Sequence, residues 1–320
     1  MSISEFALIQ RYFSTHFPKR DDVIVGIGDD AALCQVPDGM QLAISVDTLV
    51  AGVHFPVNTS AEDIGYKALA VNLSDMAAMG ATPAWMTLAL TCPQADSQWL
   101  AQFTQGLLTL AERYHVSLIG GDTTRGALTI TIQLIGFIPT SHALCRHGAQ
   151  VGDYIFVTGT LGDAGLGLAS IQDEFRLSLP VKAHVESRLN RPCPRIEVGL
   201  ALRSIANSAI DISDGLLADL GHITTASGVG AVIELEKLPL SQALRAEISL
   251  EQAWQFALTA GDDYELCFTI PAKYIELLPN ILSNEQYTCI GKIEYQAGIR
   301  CIDANGQPFL PNHKGYQHFV

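Results

Sequence analysis

A chain of 320 residues is long for one average domain and comfortable as two, since domains cluster at roughly 100 to 150 residues. Hydrophobic residues make up 48% and charged residues 16%, which is enough apolar side chain for ordinary cores and excludes a disordered chain. Nineteen Lys and Arg against 33 Asp and Glu leave a net charge of −14, which excludes a nucleic-acid or anionic-membrane surface, because phosphate backbones need clustered cations.

Along the chain, Ser2-Ile3-Ser4-Glu5 has capping-box spacing and opens a short amphipathic helix through Phe13. No basic leading segment or small-residue cleavage site accompanies it, so no export is expected. Strands are predicted at Val23 to Ile27 and Leu42 to Val46, joined through the turn signal Pro37-Asp38-Gly39. Thr59 or Ser60 can cap a long Ala-rich helix ending near Gly80, and Ser97 another ending near His115. After Ser117 to Ile119 comes a strand at Leu128 to Ile138, where Leu128, Ile130, Ile132 and Leu134 alternate with Thr129, Thr131 and Gln133. It is too short and too polar for a membrane span.

The stretch Pro139 to Gly152 is rich in polar residues and Gly, and the domain boundary is placed there, giving domains 1–140 and 141–320. The second half restarts with a strand at Tyr154 to Thr158, then Gly-rich helix-forming sequence, then Arg188-Leu-Asn-Arg-Pro-Cys-Pro-Arg195 before another helix. Further strands are predicted at Ala231 to Leu235, Glu265 to Ile270, Tyr287 to Ile293 and Gly298 to Ile302. Both halves read as α+β, without a fixed-period repeat. The seven cysteines are scattered singly, which predicts reduced thiols in a cytoplasmic protein rather than disulfides or a zinc site.

The distribution of aspartates is the unusual feature. They recur at the ends of apolar strands or beside glycine: Gly28-Asp29-Asp30, Ser45-Val46-Asp47, Gly120-Gly121-Asp122, Asp211-Ile-Ser213-Asp214-Gly215 and Gly261-Asp262-Asp263. A carboxylate following an apolar strand is ready to leave the core and enter a cleft. Asp75 lies in line with Ile64, Ala68 and Val71 at helical spacing, although Leu69, Leu73 and Met76 mark a competing stripe, so the sequence leaves open which stripe is buried. Hard oxygen ligands without paired His or Cys suit Mg²⁺. EF-hand spacing, H-E-x-x-H and G-x-S-x-G are absent.

Gly26-Ile-Gly28-Asp-Asp-Ala31 after a strand matches a dinucleotide fingerprint. Pro37-Asp38-Gly39 leaves too little room for the required helix, and Asp29-Asp30 would place two negative charges where the pyrophosphate must sit. No P-loop lysine motif exists either, so a nucleotide bound here must be neutralised by metals and arginines.

The ordered blocks G-I-G-D-D-A-A, S-V-D-T-L-V-A-G-V-H-F, A-V-N-L-S-D-M-A-A-M-G-A-T-P, G-G-D-T-T-R, C-R-H-G-A-x-x-G-D, R-L-N-R-P-C-P-R, D-I-S-D-G-L and G-D-D-Y-E-L resemble the thiamine-monophosphate kinase family across nearly the whole chain. Its superfamily is shared with aminoimidazole-ribonucleotide synthetase and selenophosphate synthetase. The resemblance implies two α+β domains. It also implies that the N-terminal mixed sheet pairs into a β-barrel in a homodimer and that a C-terminal α/β sandwich completes the active-site cleft. It implies several Mg²⁺ per site, with Asp30, Ser45, Asp47, Asp75, Asp122 and Asp211 as ligands, Val46 contributing backbone and Asp214 a further contact. Gly121, Asp122, Arg146 and Ser213 match ATP-contacting positions. His54 matches a substrate-contacting position, and Asp262 and Tyr316 stand where the family more often has Glu and Trp.

The implied reaction is transfer of the ATP γ-phosphoryl group to thiamine monophosphate, the last step of thiamine diphosphate biosynthesis. A phosphate monoester has a second pKa near 6, so at neutral pH the acceptor is mostly a dianion and no general base is expected. Rival expectations are another synthetase of the superfamily, a nicotinamide oxidoreductase and a divalent-ion-binding protein without turnover.

Overall fold

The computed structural model describes residues 5–14, 16–312 and 315–316. The predicted capping box rests on Ser2 to Ser4 and lies outside the described residues. The chain divides into two compact units, one comprising residues up to Met76 with Ala81–Ser141, the other Ala77–Gly80 with His142 onward.

The first unit runs α1 (Glu5–Tyr12), β1 (Val23–Val25), β2 (Leu33–Cys34), β3 (Met40–Val50), α2 (Ala61–Ala78), β4 (Thr82–Cys92), α3 (Ser97–Tyr114), β5 (Ser117–Arg125) and β6 (Thr129–Pro139). Four strands form an open sheet in the order β3-β6-β4-β5, in which β3 and β6 pair antiparallel over their whole length and β4 pairs parallel with β5. β4 was not legible in the sequence. It begins at Thr82-Pro83 and is buried through most of its length, so its apolar residues do not alternate. β5 runs on to Arg125 through Gly120-Gly121, where the sequence reading stops at Ile119. A Cβ on Gly121 would stand 2.0 Å from the Leu88 carbonyl oxygen, so glycine here lets the parallel strands close up instead of ending one.

On β3 the alternation is inverted from the usual one: Leu42, Ile44 and Val46 are exposed, while Ser45 and Asp47 share the inward face with buried Ala43 and Leu49. α2 is buried nearly all round, and both stripes noted in its sequence are inside: Ile64, Ala68 and Val71 together with Leu69, Leu73 and Met76. It crosses α3 at a reciprocal glycine contact, since a Cβ on Gly65 would lie 2.0 Å from the Phe103 oxygen and one on Gly106 1.9 Å from the Glu62 oxygen. Ser60 accepts the Asp63 N–H at the start of α2, whereas the cap of α3 is Asp96, with Ser97 already helical. Asp is the better acceptor of the two neighbours for the N–H groups of Gln98 and Trp99.

The second unit runs β7 (Tyr154–Thr158), α4 (Asp163–Ile171), α5 (Leu179–Asn190), α6 (Ile196–Leu202), β8 (Ser208–Asp211), α7 (Leu216–Ser227), β9 (Gly230–Glu234), α8 (Gln242–Glu247), α9 (Leu250–Thr259), β10 (Leu266–Ile270), α10 (Leu278–Ile281), β11 (Tyr287–Glu294), β12 (Gly298–Ile302) and β13 (Pro308–Phe309). Its seven-stranded mixed sheet has the order β13-β12-β9-β11-β7-β10-β8, antiparallel except for β12 with β9. An apolar core joins the sheet to its helices, with Ile155, Val157, Ile210, Leu220, Ile223 and Leu258 at most 1% exposed. Because β10 lies antiparallel between β7 and β8, the segments after β7, after β8 and before β10 meet at one end of the sheet.

Candidate functional site

In the first unit, the inward face of β3 aims its two polar side chains at α2. Ser45 donates a hydrogen bond to the Asp75 carboxylate, and Asp47 and Asp75 are themselves in hydrogen-bond contact. Burial, then the charge of Asp75, then that hydrogen bond push the Asp47 carboxyl up to about 7 from its ordinary 3.8. Three of the residues singled out in the sequence are thus brought together. Asp47 and also Asp122 sit inside strands rather than at strand ends, which corrects the sequence expectation. Val46 turns its side chain outward, so only its backbone is available to the inward side.

A cavity of about 550 Å³ in the same unit is lined by Gly28-Asp29-Asp30 and by Gly120-Gly121-Asp122, with Ile9 of α1 and Phe13 just after it on its wall. A Cβ on Gly28 or Gly120 would meet nothing within 4 Å, so both glycines leave backbone uncovered at the cavity. Asp30 and Asp122 are exposed, and the Asp30 N–H is donated to Asp29 Oδ1 at 2.8 Å. His54 follows β3, and its Nδ1 accepts the Val50 N–H at 2.9 Å. That bond fixes the ring proton on Nε2 in the neutral form. The buried Lys67 ammonium donates to the His54 carbonyl at 3.3 Å.

In the second unit, Asp211 closes β8 and is 4% exposed. The turn after it is held from two sides: Asp262 N–H donates to the Ser213 oxygen at 2.9 Å and Tyr316 N–H to the Asp214 oxygen at 3.0 Å. Asp211, Ser213, Asp214, Asp262 and Tyr316 therefore lie together. Arg146 is exposed on the segment before β7, next to Cys145, whose carbonyl accepts the Ala209 N–H two residues before Asp211.

Sequence reasoning passed over two carboxylates that organise this turn. Asp219 Oδ2 accepts the N–H groups of Asp214 and Gly215, both at 3.1 Å, and burial pushes its carboxyl up to about 7. Glu265 is fully buried between Arg188 and Arg195. The R-L-N-R-P-C-P-R block was the available signal for it, because two arginines framing prolines need a fixed anion.

Among the described residues no three His, Cys, Asp or Glu side chains form a ready metal cage. Mg²⁺ binds through one or two carboxylates, waters and substrate phosphates, so the hard oxygens of Ser45, Asp47 and Asp75, two of them mutually repelling carboxylates, fit that ion.

Family models described as AIR synthase related protein, N-terminal domain and C-terminal domain, match residues 28–138 and 150–303. The chain is 50% identical over its full length to the thiamine-monophosphate kinase of Escherichia coli K12, covering 99% of that protein, and 38% identical over 93% of its length to that of Bacillus subtilis, covering 94%. Among solved structures it resembles the thiamine-monophosphate kinase of Stenotrophomonas maltophilia with TM-score 0.88 and 46% identity, over 97% of this chain and 99% of that one. A structure of AaThiL complexed with AMPPCP and TMP matches with TM-score 0.78 and 31% identity, over 100% and 99% of the two chains. Similarity that runs unbroken through both units, at identities where fold and family travel together, shows that the chain belongs to the thiamine-monophosphate kinase family.

Proposed function

We infer that the chain transfers the γ-phosphoryl group of ATP to thiamine monophosphate, giving thiamine diphosphate and ADP. The observation that carries this is full-length identity of 50% to a thiamine-monophosphate kinase, joined by likeness to a structure holding AMPPCP and TMP. The protein is a kinase of the thiamine diphosphate pathway's last step. Its site residues are proposed from family position and supported by their placement: Asp30, Ser45, Val46, Asp47, Asp75, Asp122, Asp211 and Asp214 toward Mg²⁺; Gly121, Asp122, Arg146 and Ser213 toward ATP; His54, Asp262 and Tyr316 toward thiamine monophosphate. Residues 1–140 are proposed to hold most of the metal, nucleotide and dimer contacts, and residues 141–320 the remainder.

Ser45, Asp47 and Asp75, with Asp30, Asp122, Asp211 and Asp214, would hold Mg²⁺, which when bound would supply neutralisation of phosphate charge. The chain's own contribution is positioning. Gly28 and Gly120 give a polyphosphate access to backbone along the cavity wall, Arg146 supplies positive charge, and His54 presents an Nε2–H donor whose tautomer Val50 sets. Asp262 offers a carboxylate and Tyr316 a ring that is 46% exposed to the thiamine moiety. No side chain has to remove a proton from a dianionic phosphate.

A homodimer whose N-terminal sheets close into a shared barrel is supported by β3. It is an 11-residue edge strand with Leu42, Ile44 and Val46 exposed at 44%, 60% and 57%. A cytoplasmic location is supported by seven free cysteines. No described helix is long and apolar enough to cross a membrane. Incubation with ATP, Mg²⁺ and thiamine monophosphate tests the function. Thiamine diphosphate and ADP are expected in equal amounts, and ADP without thiamine diphosphate would refute the substrate.

A further inference from the structure

Between Gly261 and Glu265 the backbone is strained. Asp262 and Tyr264, neither of them glycine, have φ of 68° and 49°, and the residue between them, Asp263, is 1% exposed. Left-handed conformations at such residues persist only where the surroundings over-determine them, and they collect at functional sites. Here the determinants are visible. Asp262 and Tyr264 donate their N–H groups to Ser213 and Ile212 at 2.9 and 2.8 Å. Gly162 N–H donates to Asp263 Oδ2 at 2.8 Å. A Cβ on Gly261 would lie 2.4 Å from the Ser213 oxygen, so the turn and the Asp211–Gly215 loop are pressed backbone to backbone.

The segment ends on Glu265, whose two oxygens accept four hydrogen bonds: Arg188 at 2.8 Å, Arg195 twice at 2.6 and 2.7 Å, and Thr158 at 2.6 Å. Its backbone oxygen accepts the Ile212 N–H at 2.8 Å, which ties the same residue to the loop that carries Ser213. The side chain is 1% exposed and both arginines less than a fifth. Rigid, charge-assisted and bidentate contacts of this kind fix geometry more than they add stability, because desolvation offsets much of the attraction.

We propose that Arg188 and Arg195, through Glu265, are positioning residues that hold the strained turn and so set Asp262 against the Ser213–Asp214 loop. This rests on the reading that Asp262 faces thiamine monophosphate and Ser213 faces ATP. The clamp acts on where the turn stands.

The test uses Arg195→Lys and Arg188→Lys in the full chain. Each keeps the charge and loses fork geometry. Two quantities are read: amide exchange at Asp262 and Tyr264 relative to β7 and β11, and KM for thiamine monophosphate apart from kcat. The expected result is exchange at those two amides faster by about tenfold or more, with β7 and β11 unchanged. KM for thiamine monophosphate rises about tenfold while kcat stays within about threefold. Unchanged exchange at Asp262 and Tyr264, a rise spread evenly over the sheet, or failure of both variants to fold would each overturn the proposal and leave the clamp a plain structural ion pair. Absence of thiamine diphosphate with the unaltered protein would overturn the substrate reading instead, and exchange alone would then decide whether the clamp holds the turn.

Discussion

Replacing Asp47 with Asn should make the metal-free protein more stable and the enzyme inactive. The side chains are nearly isosteric, and an Asn amide can still donate to Asp75. In the folded protein the Asp47 carboxyl holds its proton up to about 7, against 3.8 ordinarily, so the folded state binds that proton more tightly than the unfolded chain does. Stability therefore falls as pH rises from about 4, and the penalty is complete above pH 7, where about 1.4 kcal/mol per tenfold in proton affinity gives a ceiling of roughly 4 kcal/mol. Asp47 is half-buried and solvent screens part of that, so a gain of about 2–3 kcal/mol at pH 8, shrinking to about 1 kcal/mol near pH 5, is expected for Asp47→Asn. The assay is urea unfolding of both proteins in chelator at the two pH values, repeated with Mg²⁺ at pH 8. Saturating Mg²⁺ should stabilise the unaltered protein, by about 2.7 kcal/mol at a hundredfold excess over its dissociation constant, and the variant much less. An Asp47→Asn protein no more stable than its parent at pH 8 in chelator would refute the idea that these two carboxylates wait, repelling each other, for a cation.

Asp30→Asn and Asp211→Asn should each remove most turnover while leaving the unfolding free energy within about 1 kcal/mol, and near-normal rates in saturating Mg²⁺ would count against their assignment. Ile44→Lys, which puts a charge in the exposed row of β3, should shift the protein to monomer in light scattering; an unchanged mass would remove β3 from the interface. Gly106→Ala should cost about 1–3 kcal/mol or more in urea unfolding, since its Cβ meets the Glu62 oxygen at 1.9 Å. Asp262→Glu with Tyr316→Trp restores the commoner family pair and should keep thiamine diphosphate formation, with KM for thiamine monophosphate the constant that moves.

How much could be read beforehand differs from element to element. α3 and β6 announced themselves, because one buried stripe or one buried face leaves a period in the sequence, whereas α2 was legible by its length, its Ala content and its capping residue although both of its stripes are buried. β4 left none, since strands covered on both sides lose their alternation, and β5 continues past Ile119 through a bulge and Gly120-Gly121, which carry no strand signal. β3 was legible as a strand but not in its orientation: its apolar row faces out and its Ser45 and Asp47 face in. Local patterns assume that apolar means inside, and the proposed dimer contact and metal site would reverse that. The aspartates were found through glycine neighbours and family blocks. Glu265 was passed over because its arginines lie 70 and 77 residues away, a relation that no spacing encodes, and Asp219 because it works on the backbone of the turn just before its own helix.

The crossing of α2 and α3 has a mechanical side. Gly65 marks the fulcrum, and Asp75 rides the same helix ten residues on, about 15 Å away at 1.5 Å per residue. A stiff helix packed on every side passes a displacement forced at one contact along its axis to the other end. The bond between Ser45 and Asp75 therefore inherits its tolerance from two missing methyl groups. Enlarging either glycine should displace α2 and so detune the carboxylate pair without touching it.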